Sequence, residues 1–465
     1  MWYIFIVLFG DFDFTRIEVD NGGHCYHGVW AADINDDSKI DILAGRQATD
    51  AGAIWYEQTA DINTWIFHWI NSSLSNVTDI ASGDFDGDGD KDIICNNIFA
   101  NEIYIGENDG SGGFTNYLIS TSVSGPRGII PADVDNDDTL DFVVGSGSVA
   151  ATYIYWFKNN GGLSFTPFQV GTISFSEPAK IDVFDADGDG HMEIIVSAKG
   201  DGTVYLFQND GSESFTHILV DGSITEPAGI GVGDFNGDGL WDAAVCEFTN
   251  GGMVLWYENT GGAFNEHMIE NGVNNCDGLN VGDIDLDGDL DVVVCNYNNT
   301  AVKDGSIRLY ENDGGGKWTP WVIDSTNIVN GDLPFIVDID QDDCPDIIMS
   351  DNYPGAYITL YHQKCESGAE EVTLNTELSC KVFPTPATHK VNFTLSVPQA
   401  GRYELNIYNI TGRLVYKCIK TLKAGTHLLT WDTRDIKGNS VVSGVYFYQL
   451  KLNHQEARGR FIITR

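Results

Sequence analysis

The chain has 465 residues with 52 glycines, 42% hydrophobic and only 20% charged residues, which is too long for one small domain and too poor in charge for long exposed helices. Its 68 Asp and Glu against 25 Lys and Arg give a net charge of −43, a surface that repels phosphate backbones and anionic headgroups and excludes nucleic acid as a direct partner. The charge is unevenly placed: residues 1–370 hold 62 acidic and 12 basic residues, and residues 371–465 hold 6 and 13. A domain boundary therefore falls near Ser367-Gly368.

Residues 1–10 form an apolar segment. With no Lys or Arg before Arg16 and no small-residue cleavage site, it reads equally as a truncated signal peptide or as a core strand. No segment approaches the roughly 18 uninterrupted apolar residues of a membrane span. Nine cysteines leave at least one thiol free or paired outside the chain. Cys95, Cys246 and Cys295 occupy near-equivalent strand positions and read as buried core thiols.

From residue 11 to 365 one unit recurs seven times. Its centre is an acidic loop such as Asp84-Phe-Asp86-Gly-Asp88-Gly89-Asp-Lys-Asp92, and the loops start at Asp33, Asp84, Asp133, Asp185, Asp234, Asp283 and Asp338. A short β-branched run flanks each loop on either side, too short for a helix. An aromatic strand follows, as in Ile154-Tyr-Trp-Phe157 or Val254-Leu-Trp-Tyr257, and then a Gly/Asn turn and a strand opening at Phe114, Phe165, Phe215, Phe264 or Trp318. Four short strands in each unit of about 50 residues predict an all-β, seven-bladed β-propeller. An open solenoid would need capping ends. The seventh unit lacks its fourth strand after Ile358–Tyr361, while Phe14–Val19 matches a fourth strand and precedes the first loop. A terminal strand that completes the last unit from the opposite end closes the ring.

Within each loop, oxygen-bearing side chains fall at positions 1, 3, 5 and 9. The candidate ligands are Asp33, Asn35, Asp37 and Asp41; Asp84, Asp86, Asp88 and Asp92; Asp133, Asp135, Asp137 and Asp141; Asp185, Asp187, Asp189 and Glu193; Asp234, Asn236, Asp238 and Asp242; Asp283, Asp285, Asp287 and Asp291; and Asp338, Asp340, Asp342 and Asp346. Hard oxygen ligands without His or Cys select calcium, up to seven ions, over zinc or copper, and a flexible loop suits it better than magnesium's strict octahedron. The competing reading is plain Asp-Gly surface turns. Gly89, Gly190, Gly239 and Gly288 stand at position 6, where the turn wants positive φ; Ser38, Asp138 and Asp343 stand there in loops one, three and seven, whose backbone is expected to be strained or differently bent.

The motifs GDFDGDGDKDII and VLWYENTGGAF resemble the VCBS/FG-GAP repeat family of calcium-loop β-propellers, found in integrin α heads and secreted bacterial proteins. The Phe-Gly and Gly-Ala-Pro elements of the integrin form are not evident. The resemblance implies a secreted, calcium-stabilised scaffold and leaves its ligand open.

Residues 366–382 read as a linker. Residues 383–465 alternate apolar and polar over Val391–Val397, Tyr403–Tyr408, Leu414–Ile419, His427–Trp431, Val445–Leu452 and Phe461–Thr464, which predicts a small Ig-like β-sandwich. The runs FPTPATHKVNFTL, ELNIYNITGRLVY and GRFIITR resemble the C-terminal sorting domains of type IX secretion cargo and the related FlgD-type Ig-like domain, with Thr385 in place of the usual Asn between the prolines. The resemblance implies a bacterial protein carried through the outer membrane by an export machine, to be secreted or held at the cell surface.

No nucleophile elbow, phosphate loop or zinc-type spacing is present. Because the acidic loops join strands one and two, ligand chemistry belongs on the opposite face. The candidates there are His24, Tyr26, His27, Arg46, Arg127, Glu177, Lys180, Lys199, Glu226, Glu247, Asp277, Tyr297, Asp332, Asp351 and Tyr353. The primary reading is a binding or adhesion module for extracellular carbohydrate or protein ligands. His24, His27 and Arg46 together support the alternative of a polysaccharide lyase or hydrolase, and a purely structural surface protein is the third.

Overall fold

The computed structural model describes residues 12–47, 51–147, 152–173, 178–297, 305–325, 328, 330–351 and 356–364, and beyond these 379–383, 387, 390–397, 401–411, 413–422, 425–431, 433–435, 437, 440–452 and 455–463. Glu177, Tyr353 and the side chain of His24 lie outside the described residues, as does the 1–10 segment. The chain divides into two compact units, Met1–Cys365 and Glu366–Arg465. Among the described residues there is no helix, so none is long and apolar enough to cross a membrane.

The first unit repeats one antiparallel meander of four strands. In sheet two, for example, Ile80–Gly83, Asp92–Asn97, Glu102–Asn108 and Phe114–Ser120 pair in that order. The acidic loop joins the first strand to the second. Second strands such as Asp92–Asn97, Asp141–Ser146 and Asp291–Asn296 are buried along their whole length. That is why they read as continuous β-branched runs instead of alternating ones. Fourth strands are half-buried to exposed over most of their length and leave Phe67, Trp69, Leu118, Leu219 and Val322 exposed.

Sheet seven takes its fourth strand from the other end of the unit. The strand Phe14–Ala32 pairs with Ala356–Gln363, Arg16 lying opposite Tyr361 and Ile17 opposite Leu360. It then shifts register twice and pairs with Asp41–Gln47, so that Trp30 lies opposite Leu43. One strand thus serves as fourth strand of sheet seven and first strand of sheet one, the exchange expected from the missing strand. The first strands of consecutive sheets are neighbours, and that of sheet seven neighbours that of sheet one, with Trp30 against Phe335 at 4.9 Å between ring centroids.

The second unit holds a three-stranded sheet, Ser379–Phe383, Val391–Val397 and Gly425–Trp431, and a four-stranded sheet in the order Leu414–Leu422, Gly401–Asn409, Gly444–Leu452 and Gln455–Ile463. Phe393, Leu405, Trp431, Tyr446 and Phe461 share one core. The stretch read as linker requires a correction: Ser379–Phe383 is a strand whose Val382 pairs opposite Phe393. The final strand is also longer than expected, opening at Gln455.

The exchanged strand is an edge cover for Ala356–Gln363. Removing residues 12–20 is expected to lower the melting temperature and promote concentration-dependent aggregation, measured by light scattering during a thermal ramp. Unchanged melting and solubility would refute this role.

Candidate metal centres and the opposite face

All seven loops fold alike. Positions 4 and 6 take positive φ throughout, from Gly87 at 84° and Gly89 at 102° to Asp36 at 56° and Ser38 at 67°. Loops one, three and seven therefore follow the same bend as the rest, with non-glycine residues strained into it at roughly 1 kcal/mol each. The carboxylate at position 1 accepts the amide of position 6, as Asp84 does from Gly89 at 3.0 Å and Asp283 from Gly288 at 3.1 Å.

In loops two, three, four, six and seven, positions 1, 3 and 9 bring one carboxylate oxygen each within 4.8 Å of one another: Asp84, Asp86 and Asp92; Asp133, Asp135 and Asp141; Asp185, Asp187 and Glu193; Asp283, Asp285 and Asp291; Asp338, Asp340 and Asp346. Loops one and five carry Asn35 and Asn236 at position 3. Position 5 stands apart from these groups and accepts the amide two residues on, as Asp88 does from Asp90 at 3.0 Å. Asp283 Oδ1 and Asp135 Oδ1 are buried without a hydrogen-bond donor. Three convergent carboxylates, with orphaned oxygens among them, fit a hard divalent cation.

The position-9 carboxylates have a second role that the sequence reading did not identify. Asp41, Asp92, Asp141, Glu193, Asp242, Asp291 and Asp346 are all fully buried. One oxygen of each accepts the amide of position 2, and the other accepts the amide of the last residue in the third strand. In sheet two these bonds run from Phe85 at 3.0 Å and from Asn108 at 2.9 Å. Burial pushes these carboxyls up, to about 6 for Asp92 and Asp141 and about 7 for the other five, against the pull of the amides they accept.

The third-strand residue is in every sheet a buried Asn or Gln: Gln58, Asn108, Asn159, Asn209, Asn259, Asn312 and Gln363. Its side-chain amide donates across to the position-2 carbonyl of the preceding sheet. Asn108 reaches Ile34, Asn159 Phe85, Asn209 Val134, Asn259 Ala186, Asn312 Phe235 and Gln363 Ile284, and Gln58 of sheet one reaches Ile339 of sheet seven, all at 2.7–3.2 Å. An amide recurring at one register after the aromatic strand was the available signal.

At the other end of the first strands the candidates fall into separate groups. His27 pairs with Asp332 at 2.6 Å. Burial pushes the Asp332 carboxyl up, but the His27 bond and the nearby Lys180 and Arg127 charges outweigh it and hold the group at about 2. Asp277 is half-buried; desolvation and the Asp332 charge push its carboxyl up to about 6 although Lys199 and Lys180 pull the other way. The Lys199 ammonium sits 3.3 Å from the centroid of Phe248, which packs on Tyr297. Lys180 also borders a cavity of about 320 Å³ between the first strands, with Asp79 and Asp182.

Arg46 is drawn elsewhere: it is buried, bonds Asp20 at 2.8 Å and Tyr56 at 2.9 Å, and lies over Phe67. Tyr26 also bonds Asp20. His27 and Arg46, expected to act together, are thus engaged with different partners. Glu247 binds the backbone amides of Thr225 and Met253, and Asp351 that of Asn330, so both are loop braces. Glu226 takes positive φ, and its carbonyl accepts the Phe248 amide. The reading of Cys246 as a core thiol is corrected, since it forms a disulfide with Cys276 of the next sheet. Cys344 is disulfide-bonded as well, while Cys95 and Cys295 are free and buried.

Four of these four-strand, acidic-loop units match a known repeat. Residues 84–144, 140–196, 185–245 and 234–294 each match the FG-GAP-like repeat, and residues 381–464 match a secretion system C-terminal sorting domain. The chain is thus an FG-GAP-repeat protein ending in a type IX sorting domain, exported through the outer membrane to the cell surface or beyond, and the sorting domain implies contact with the export machinery. Among solved structures it is similar to PorZ of Porphyromonas gingivalis, described as an essential bacterial surface component of the type-IX secretion system, at 11% identity over 95% of this chain and 81% of that one, with a TM-score of 0.27. No match is found among the curated proteins.

Replacing Asn108 by Ala removes the donor to Ile34 and leaves buried carbonyls unpaired. The cost is expected to be about 1–3 kcal/mol, read as a lower denaturation midpoint. An unchanged midpoint would show that the amide bridge does not hold the sheets together.

Proposed function

We propose that residues 11–365 form a closed seven-bladed β-propeller carrying up to seven calcium ions, that residues from Ser379 onward form an Ig-like sandwich that directs export, and that the propeller serves as a binding module for an extracellular carbohydrate or protein ligand. The strand shared by sheets one and seven and the amide bridge from Gln58 to Ile339 support closure. Convergent carboxylates at positions 1, 3 and 9 support the ions. When bound, calcium would supply positive charge to each loop, held by those carboxylates.

The observation that carries the binding role is the separation of the two faces. Only 12 Lys and Arg stand in residues 1–370, yet Arg127, Lys180 and Lys199 share with Asp277 and Asp332 the end of the first strands opposite the loops. Fixed charges of both signs around a cavity select polar ligands.

Calcium that binds only the folded state stabilises it by about 2.7 kcal/mol per site at a hundredfold excess over the dissociation constant. Chelation is therefore expected to lower the melting temperature by well over ten degrees. Calcium should restore it far better than magnesium, which dehydrates reluctantly. A chelator that leaves the melting curve in place, with no calcium found by metal analysis, would refute the calcium sites.

Applied to glycan and protein arrays, the full chain is expected to retain at least one ligand class in calcium, and R127A/K180A to retain at least tenfold less. Absence of any calcium-dependent retention would sink the binding role and leave a structural surface protein.

A further inference from the structure

The residue just before each bridging amide faces the acidic loop of its own sheet, and it varies: Glu57, Glu107, Lys158, Gln208, Glu258, Glu311 and His362. In sheet five Asn236 of the loop donates to Glu258 at 3.4 Å, and in sheet four Gln208 donates to Asp187 at 3.0 Å. In sheet seven His362 stands 3.2 Å from Asp340. In sheet three the residue is a lysine. Lys158 Nζ contacts Asp135, the position-3 carboxylate, and lies 3.1 Å from Asp137 at position 5.

The neighbouring fourth strand varies in step. Where the residue is glutamate, the fourth-strand side chain two residues back in register is a hydrogen-bond donor. His68 lies opposite Trp55, Tyr117 opposite Ile105, His267 opposite Trp256 and Trp321 opposite Leu309. His68 holds Glu57 at 2.8 Å, His267 holds Glu258 at 3.0 Å, Trp321 holds Glu311 at 2.8 Å, and Tyr117 bonds Glu107. Where the residue is not glutamate, the same position is apolar: Phe168, Ile218 and Ile17. Four glutamates with a donor and three other residues without one are a paired pattern within one chain. One end of each glutamate is held by the fourth strand, next to the loop.

We propose that Lys158 is the resident cation of the third loop, its ammonium taking the place that a divalent ion takes in loops such as the second, and that the residue at this register sets how much positive charge each loop draws from solution. The inference rests on the reading of the loops as calcium sites. Loop two has five carboxylates, Asp84, Asp86, Asp88, Asp90 and Asp92, with Glu107 beside them; the one basic residue in it, Lys91, is exposed to solvent, so the loop calls for a mobile cation. Loop three has five as well, Asp133, Asp135, Asp137, Asp138 and Asp141, and is given its own ammonium, tethered through Lys158. Lys39 is not equivalent, since it belongs to loop one itself and pairs there with Asp37 at 2.5 Å, at position 5 only.

The test exchanges the two residues in the full chain. Calcium per chain is counted after equilibrium dialysis against calcium for the wild type, K158Q and E107K, with far-ultraviolet circular dichroism as the control for folding. K158Q is expected to hold one ion more than the wild type and E107K one fewer. In chelator, where no ion can help, K158Q should melt below the wild type and E107K above it. Equal counts in all three proteins, with a calcium-binding wild type, would overturn the assignment of Lys158. A wild type that holds no calcium would overturn the calcium reading itself, and the chelator melting order then decides separately whether Lys158 balances the loop. Unchanged melting in both variants would remove that role too.

Discussion

The bidentate use of one buried carboxylate is what the repeat depends on. Each position-9 side chain ties the acidic loop, through the position-2 amide, to the end of the third strand, and the residue there ties its sheet to the preceding one. Neutral amide bonds in such sites are worth about 1 kcal/mol net, but a buried donor or acceptor left alone costs up to about three times as much. The arrangement is therefore less an addition of small gains than a constraint. A sheet that docks without its amide leaves a buried carbonyl of its neighbour unpaired, so correct docking is favoured over near misses.

The same carboxylate connects charge to packing. A fully buried acid whose two oxygens accept amides lies, in five of the loops, within 4.8 Å of the carboxylate oxygens at positions 1 and 3, and burial disfavours its ionised form. A cation in the loop would reverse that balance and strengthen the carboxylate that anchors the inter-sheet bridge. Loop charge and sheet docking are thereby one problem, solved at the loop end of the first strands, where the acidic side chains are concentrated.

Much of this was legible in the sequence because it is periodic. Seven acidic loops gave the sheets, and the orphaned match between Phe14–Val19 and a fourth strand gave the exchange found opposite Ala356–Gln363. The bridging amides were equally periodic but carried no familiar chemistry. Asn and Gln after an aromatic strand look like turn residues until their partner, some 75 positions away or, for Gln58, 281 positions away, is seen. What could not be read was side-chain convergence. Cys246 aligns with Cys95 and Cys295, yet Cys276 of the next sheet reaches only it. His27 and Arg46 are close in sequence space but turn to Asp332 and Asp20, which belong to different strands. Ser379–Phe383 was missed because a five-residue strand after a polar stretch carries too little pattern to register.

The order of elements along the chain adds a kinetic consequence. The strand Phe14–Ala32 finds its partner in Ala356–Gln363, the last strand of the repeat array, and Gln58 finds Ile339. Both contacts span nearly the whole unit, and contacts of such separation form late because loop closure precedes their reward. Until then the edge of Ala356–Gln363 and the first strand of sheet one stay open, the condition in which β-rich chains aggregate. The sorting domain at residues 381–464 lies after every strand of the array. An export signal in that position is made only once the strand that completes sheet seven has its partner in the chain, so the element that addresses the protein comes last to a unit already able to cover its own edge.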